Sequence, residues 1–206
     1  MDYKIFFREA IDSHYQRNAN SIMTEIGSTF ELLREDIHFG KTSKNPIDRR
    51  MEIAGYFLAF MIVLDKQGES FERIRTLTLE IAQESVQPRN KLHALLKKLP
   101  AKLVNFGLTR IFLRQLDKKL SKRSHPDGFV ARIITDKKET YGFGYGFDIL
   151  ECGICKLYEK HNYKRFASIL CEVDHITSSL AGLKLVRSGT IANGAKKCDF
   201  RFIRSK

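Results

Sequence analysis

No cysteine occurs in the first 151 residues of this chain; all four lie between positions 152 and 198. The start, Met-Asp-Tyr-Lys-Ile-Phe-Phe-Arg-Glu, lacks the basic segment and apolar run of a secretory signal. Together these absences lead to the expectation of a reducing, cytoplasmic setting, in which the cysteines serve as thiols or metal ligands rather than disulfides. Long apolar runs are missing as well. The longest, Ile53 to Leu64, has twelve residues between Glu52 and Asp65, against the ~20 that cross a bilayer, and reads as a buried helix. Arg-Gly tracts, aromatic residues interleaved with basic ones, helix-turn-helix signatures and zinc-finger spacings are absent, so no nucleic-acid partner is expected. There is no internal repeat or low-complexity tract.

What is present is a core and an excess of positive charge. With 206 residues, 43% of them hydrophobic, the chain can bury a core as one domain or two small ones without staples. The net charge of +12 is concentrated: residues 88–123 hold eleven Lys and Arg and one acid, Asp117. Lysines set between leucines at helical spacing read as a solvated helix face. The competing reading is a basic helical module for anionic lipid, nucleic acid or an anionic substrate, which makes 88–123 the candidate surface for peripheral membrane contact.

Apolar spacing divides the chain. Residues 3–34 repeat at helical period as one or two helices, with a weak point at Asn18 to Asn20. Asn45-Pro46 reads as an N-cap with proline at the first helical position, opening a helix to about Lys66. Ser70 caps the next helix, which stops before Pro88, and residues 90–122 form one or two more with a kink at Pro100. The breaker cluster Ser124-His-Pro-Asp-Gly128 is the candidate boundary between a helical region, 1–124, and an α+β domain, 125–206.

Beyond it the period becomes alternating. Phe129–Ile134 and Tyr141–Phe147 read as two strands joined through Asp136-Lys-Lys-Glu, with Gly142, Gly144 and Gly146 leaving one strand face bare. Cys152–His161 and Arg165–Leu180 read as helices, and Leu183–Ile191 with Lys197–Ile203 as a second hairpin around Asn193-Gly194. This order predicts an α+β fold, a helical N-terminal half followed by a four-stranded antiparallel sheet with helices on one face.

The chemistry-bearing residues gather in the last quarter. Cys152 opens a helix, where the dipole and free N–H groups favour a thiolate. Cys171 and Asp174, three apart, share a face of theirs and can act on one ligand. Cys198 and Phe200 share one strand face, Asp199 and Arg201 the other, so only one pair can point into a site. Arg187, Thr190 and Arg201 are candidate clamps for a carboxylate, Asp199 a further candidate substrate contact. Arg187 and Thr190 fall on opposite sides unless a bulge at Gly189 re-aims one. His175 points away from Asp174 as a surface residue. A free cysteine also simply fills core space, and Cys152, Cys155, Cys171 and Cys198 admit a structural zinc, or Cys152, Cys171, Asp174 and Cys198 a catalytic divalent metal.

In order, the chain reads Cys152 opening a helix, Cys171-Glu-Val-Asp174, Arg187-Ser-Gly-Thr190 and Gly194-Ala-Lys-Lys-Cys198-Asp199-Phe200-Arg201. This series resembles the L-2-amino-thiazoline-4-carboxylic acid hydrolases over residues 128–206, with Cys155 a departure from the pattern. The resemblance implies a hydrolase that opens a cyclic amidine, adding water to the carbon between ring nitrogen and sulfur to give a carbamoyl-cysteine. A base or nucleophile is then expected from Asp174, Cys152 or Cys171, an amidine holder in Asp174, and a carboxylate clamp in Arg187 or Arg201. The C-terminal part is also similar to the vinyl-reductase type of small-molecule-binding domain, which implies a non-catalytic sensor as the alternative.

Overall fold

The computed structural model describes residues 3–87 and 107–204. The expected kink at Pro100, and the basic segment as far as residue 106, lie outside the described residues. Helices α1 (Lys4–Tyr15) and α2 (Ala19–Ile37) are separated at Gln16–Asn18, where Gln16 takes a positive φ of 31°. A short α3 (Phe39–Thr42) leads to α4 (Arg50–Lys66). Asn45 accepts from Ile47 N at 3.1 Å and caps the Pro46–Arg49 turn that feeds α4. Ser70 accepts from Arg73 N at 3.2 Å and opens α5 (Phe71–Val86). Helix α6 spans Gly107–Leu120.

Helix α4 is the centre of the molecule. Apolar on every side, it is buried from Tyr56 through Leu64, the condition of a helix surrounded by protein. Helix α2 packs along it, and α5 and α7 (Gly153–Lys160) flank it. One buried cluster joins Phe7, Ile26 and Phe60 of the helices to Phe129, Ile149 and Phe200. Polar contacts cross between the same parts: Asn45 Nδ2 donates to Phe129 O at 2.8 Å, and Asp48 accepts from Phe129 N at 2.8 Å.

The sheet has four antiparallel strands in the order β1 (Val130–Ile134), β2 (Gly146–Glu151), β4 (Cys198–Arg204), β3 (Leu183–Val186). The α+β class and its antiparallel sheet are those the sequence predicts, but two strands lie elsewhere. Residues 141–145 form a loop, and β2 begins at Gly146. Asp136 accepts from Lys138 N at 2.6 Å, and Tyr141, Gly142 and Gly144 take positive φ, so the aromatic–glycine alternation builds a coiled excursion rather than a strand. The expected bare glycine face reduces to Gly146, where a Cβ would come 2.7 Å from Phe200 O. Strand β3 ends at Val186 instead of Ile191, because the N–H groups of Ser188 and Gly189 turn to the Asp199 carboxylate at 3.0 and 3.1 Å.

Registered pairs put Ala131, Ile149, Cys198, Phe200 and Leu185 on the sheet face that meets the helices. Helix α8 (Ala167–Leu180) lies between β3 and α5, and α6 lies beside β1, where Asp117 accepts the edge-strand N–H of Ile133 at 2.7 Å. No helix among the described residues is long and apolar enough to cross a membrane.

Candidate active site

Between α4, α5, α8 and the inner sheet face lies a cavity of about 250 Å³. Its walls are mostly apolar, with Ile53, Phe57, Ala82, Phe129, Ile149 and Phe200 among them. The polar and thiol-bearing residues that line it are few: the four cysteines, Asp174, Arg50, Ser85 and Thr177. Such a volume falls below the ~300–1,000 Å³ of sites for drug-sized ligands, so it suits a small ring.

Cys152 is the N-cap of α7, and its carbonyl accepts the first helical N–H, from Lys156 at 3.1 Å. Gly153 is required behind it, since a Cβ there would meet Met51 Sδ at 2.8 Å and Asp127 O at 2.9 Å. The Cys155 thiol donates to the Cys152 sulfur, and this hydrogen bond holds the Cys152 thiol below the ordinary 9.0 despite burial, with help from the N–H groups of Cys155 and Ile154. Cys155 moves the opposite way, raised by the same bond and by burial. Burial also raises Cys171 to about 12 and Cys198 to about 11. Cys198 Sγ accepts from Ile191 N at 3.2 Å. Cys152 is therefore the thiol of the four set up to ionise.

Asp174 stands one turn along α8 from Cys171. Arg187 approaches from the end of β3: Nη1 donates to Asp174 Oδ2 at 3.0 Å, Nη2 donates to Cys171 O at 2.8 Å, and the guanidinium lies over the Phe200 ring at 5.0 Å. Arg50 Nη1 lies 3.9 Å from the other carboxylate oxygen. Burial raises the Asp174 carboxyl above its ordinary value, and Arg50 and Arg187 offset that only in part. The Arg187 side chain is 7% exposed and that of Arg50 is 64% exposed, so one arginine backs the acid from within and the other stands at the open edge.

Residues 49–202 match the family model of L-2-amino-thiazoline-4-carboxylic acid hydrolase. The chain belongs to that family. No curated protein and no solved structure matches it significantly. The family match begins well before the 128–206 stretch that carries the motif resemblance, and the cavity explains why. Helices α4 and α5, inside the match, supply Arg50, Ile53, Phe57 and Ala82 to its wall.

The four residues proposed from sequence as substrate contacts do not line the cavity of this family member. Arg201 is on the far sheet face, buried, donating to Asp148 Oδ1 at 2.8 Å and to the carbonyls of Glu139 and Phe200 at 3.0 Å each. Strand alternation decides it, because Cys198 and Phe200 take the inner face. Asp199 ties the β3–β4 connection; burial raises its carboxyl, but hydrogen bonds from Ser188 and Gly189 outweigh this and hold it below the usual range. Thr190 caps the turn Ile191–Asn193 through Asn193 N at 3.2 Å. Arg187 backs Asp174 rather than facing the cavity, and His175 is exposed as expected. The metal readings do not fit the geometry: among the described residues, no three His, Cys, Asp or Glu side chains form a ligand set. Arg50 was not found from sequence. A cation opening a helix opposes the dipole, and that is the one signal it leaves.

Proposed function

We propose that this chain hydrolyses a small cyclic amidine bearing a carboxylate, with 2-amino-thiazoline-4-carboxylate as the reference substrate. The observation that carries this reading is that Cys152 and Asp174 line the same small cavity, with Arg50 at its edge. The amidinium pairs with Asp174, and the ring carboxylate with the Arg50 fork. This leaves the carbon between ring nitrogen and sulfur towards Cys152. The apolar walls exclude water and strengthen both charge contacts.

The Cys152 thiolate adds to that carbon, the ring carbon–sulfur bond breaks, and the departing sulfur takes a proton. One water then adds to the enzyme-bound carbon, the bond to Cys152 breaks, and the thiolate and the carbamoyl-cysteine part. Asp174, with its raised proton affinity, is placed to hold the amidine and exchange a proton with it. Product formation from 2-amino-thiazoline-4-carboxylate, followed by mass spectrometry, tests the reading. Asp174→Asn is expected to abolish it. Binding without turnover by the intact protein would favour the sensor alternative instead.

A separate surface supports peripheral membrane contact. On α6, Ile111 and Phe112 are 60% and 64% exposed, beside exposed Arg114, Lys118 and Lys119, an apolar and basic combination that suits an anionic bilayer. Cosedimentation with phosphatidylserine vesicles is expected at low salt and lost in neutral vesicles; no binding to the anionic vesicles would refute it.

A further inference from the structure

We infer that Cys152 and Cys155 form a peroxide-oxidised dithiol, closing to a disulfide that switches the cavity off. The inference rests on the reading of Cys152 as nucleophile only for its effect on activity. Cys152 stands at the N-cap of α7 and Cys155 three residues on in its first turn. Positions so placed lie about a helical turn apart, within the ~4.4–6.8 Å between Cα atoms that a disulfide spans. Both residues line one wall of the same cavity, so the two thiols stand close together on the first turn of one helix. The free N–H groups of the helix's first turn favour a thiolate at its N-cap. A molecule as small as hydrogen peroxide fits the cavity that these two residues line.

The remaining thiols are less suited to the partner role. Cys198 is held by the N–H of Ile191 at 3.2 Å, and Cys171 sits on a different helix. Neither donates a hydrogen bond to Cys152. The hydrolytic chemistry gives Cys155 no bond to make or break. A resolving thiol beside a low-pKa cysteine is the arrangement that redox-sensing sites use.

The co-reactant is hydrogen peroxide. The Cys152 thiolate attacks one oxygen, the oxygen–oxygen bond breaks, and the leaving hydroxide takes a proton, giving a sulfenic acid and water. The Cys155 sulfur then attacks the Cys152 sulfur, the sulfur–oxygen bond breaks, and hydroxide leaves with the Cys155 proton as a second water. Two thiols are oxidised and one peroxide is reduced to two waters. The disulfide removes the nucleophile from the cavity until a dithiol reductant restores it.

The test uses the native full chain with hydrogen peroxide, then alkylation, digestion with trypsin and peptide mapping. Cleavage after Lys138 and Lys156 places both cysteines in one peptide, 139–156. The expected product is that peptide two hydrogens lighter, unalkylated, and returned to the dialkylated form by dithiothreitol. In Cys155→Ser the same treatment is expected to stop at a sulfenic acid that dimedone traps. Linkage of Cys152 to Cys171 or Cys198, or oxidation of Cys152 past the sulfenic acid with Cys155 still free in the wild type, would overturn the inference. Mapping decides this whether or not the protein opens a thiazoline. Where it does, activity is expected to fall in step with the lighter peptide and to return on reduction. A failed hydrolysis assay alone counts against the proposed function and leaves the mapping result to judge the dithiol.

Discussion

Arg187 reaches from the end of β3 to Asp174 on α8, donating Nη1 to Oδ2 at 3.0 Å while its guanidinium rests on Phe200. The acid that faces the cavity is thus fixed from behind by a buried cation that does not face the cavity itself. Replacing Arg187 by Met leaves Asp174 partly buried without its main partner. We expect a loss of about 3 kcal/mol, the low end for a broken buried pair because Arg50 remains 3.9 Å away. Chemical denaturation measures it. Arg187→Lys keeps the charge but loses the fork and the stacking, and should fall between the two; equal stability of all three proteins would contradict the pairing.

The Asp174 carboxyl also has a pH signature. Burial lifts it above its ordinary 3.8, so the folded state holds this proton more tightly than the unfolded chain. Its contribution to stability therefore falls as pH rises from about 3.8 through the folded-state value, then stays level. Asp174→Asn removes that titration while still accepting from Arg187. The difference in thermal midpoint, variant minus wild type, should move upward across the acidic window and then flatten. A difference independent of pH would show that burial does not perturb the acid.

Thiol labelling separates Cys152 from Cys171 and Cys198. With Cys152 below the ordinary 9.0, Cys198 near 11 and Cys171 near 12, iodoacetamide near neutral pH should modify Cys152 first, since each unit changes the thiolate fraction about tenfold. Cys171 and Cys198 should react only on denaturation. Bound 2-amino-thiazoline-4-carboxylate should slow the first reaction. Faster labelling of Cys171 than of Cys152 would reverse the assignment of the nucleophile.

Arg201 is predicted to matter for folding and not for substrate. Its Nη1 pairs with Asp148 on the face away from the cavity, both side chains 8% exposed. Arg201→Met should cost about 3 kcal/mol, with Lys197 at 2.6 Å still beside Asp148, and leave KM unchanged. Arg50→Ala should do the opposite, raising KM about tenfold or more through loss of a charge-assisted hydrogen bond, about 1.5–3 kcal/mol, at little cost in stability because Arg50 is exposed. Kinetics and melting curves on the two variants check both.

Local rules carried the sequence reading where one element decides the outcome. Cys152 at a helix start, Cys171 and Asp174 a turn apart, and Cys198 sharing a face with Phe200 all follow from the period of a single helix or strand. The reading failed where side chains capture the backbone. Asp199 takes the N–H groups of Ser188 and Gly189 and ends β3 early, and Asp136 with left-handed Tyr141, Gly142 and Gly144 turns an alternating stretch into a loop. Arg187 and Arg201 looked equivalent as strand arginines, and only the inward choice of Cys198 and Phe200 separates their surroundings. Arg50 lies outside the C-terminal motifs altogether and joins the site because α4 and α8 both wall the cavity.

The central claim is that Cys152 attacks the ring carbon. Intact-mass analysis of protein quenched during turnover of 2-amino-thiazoline-4-carboxylate tests it most directly. The account predicts an adduct of one whole substrate on peptide 139–156, absent in Cys152→Ala, which forms no product. Product formation by Cys152→Ala at the wild-type rate, with no adduct in either protein, would contradict it.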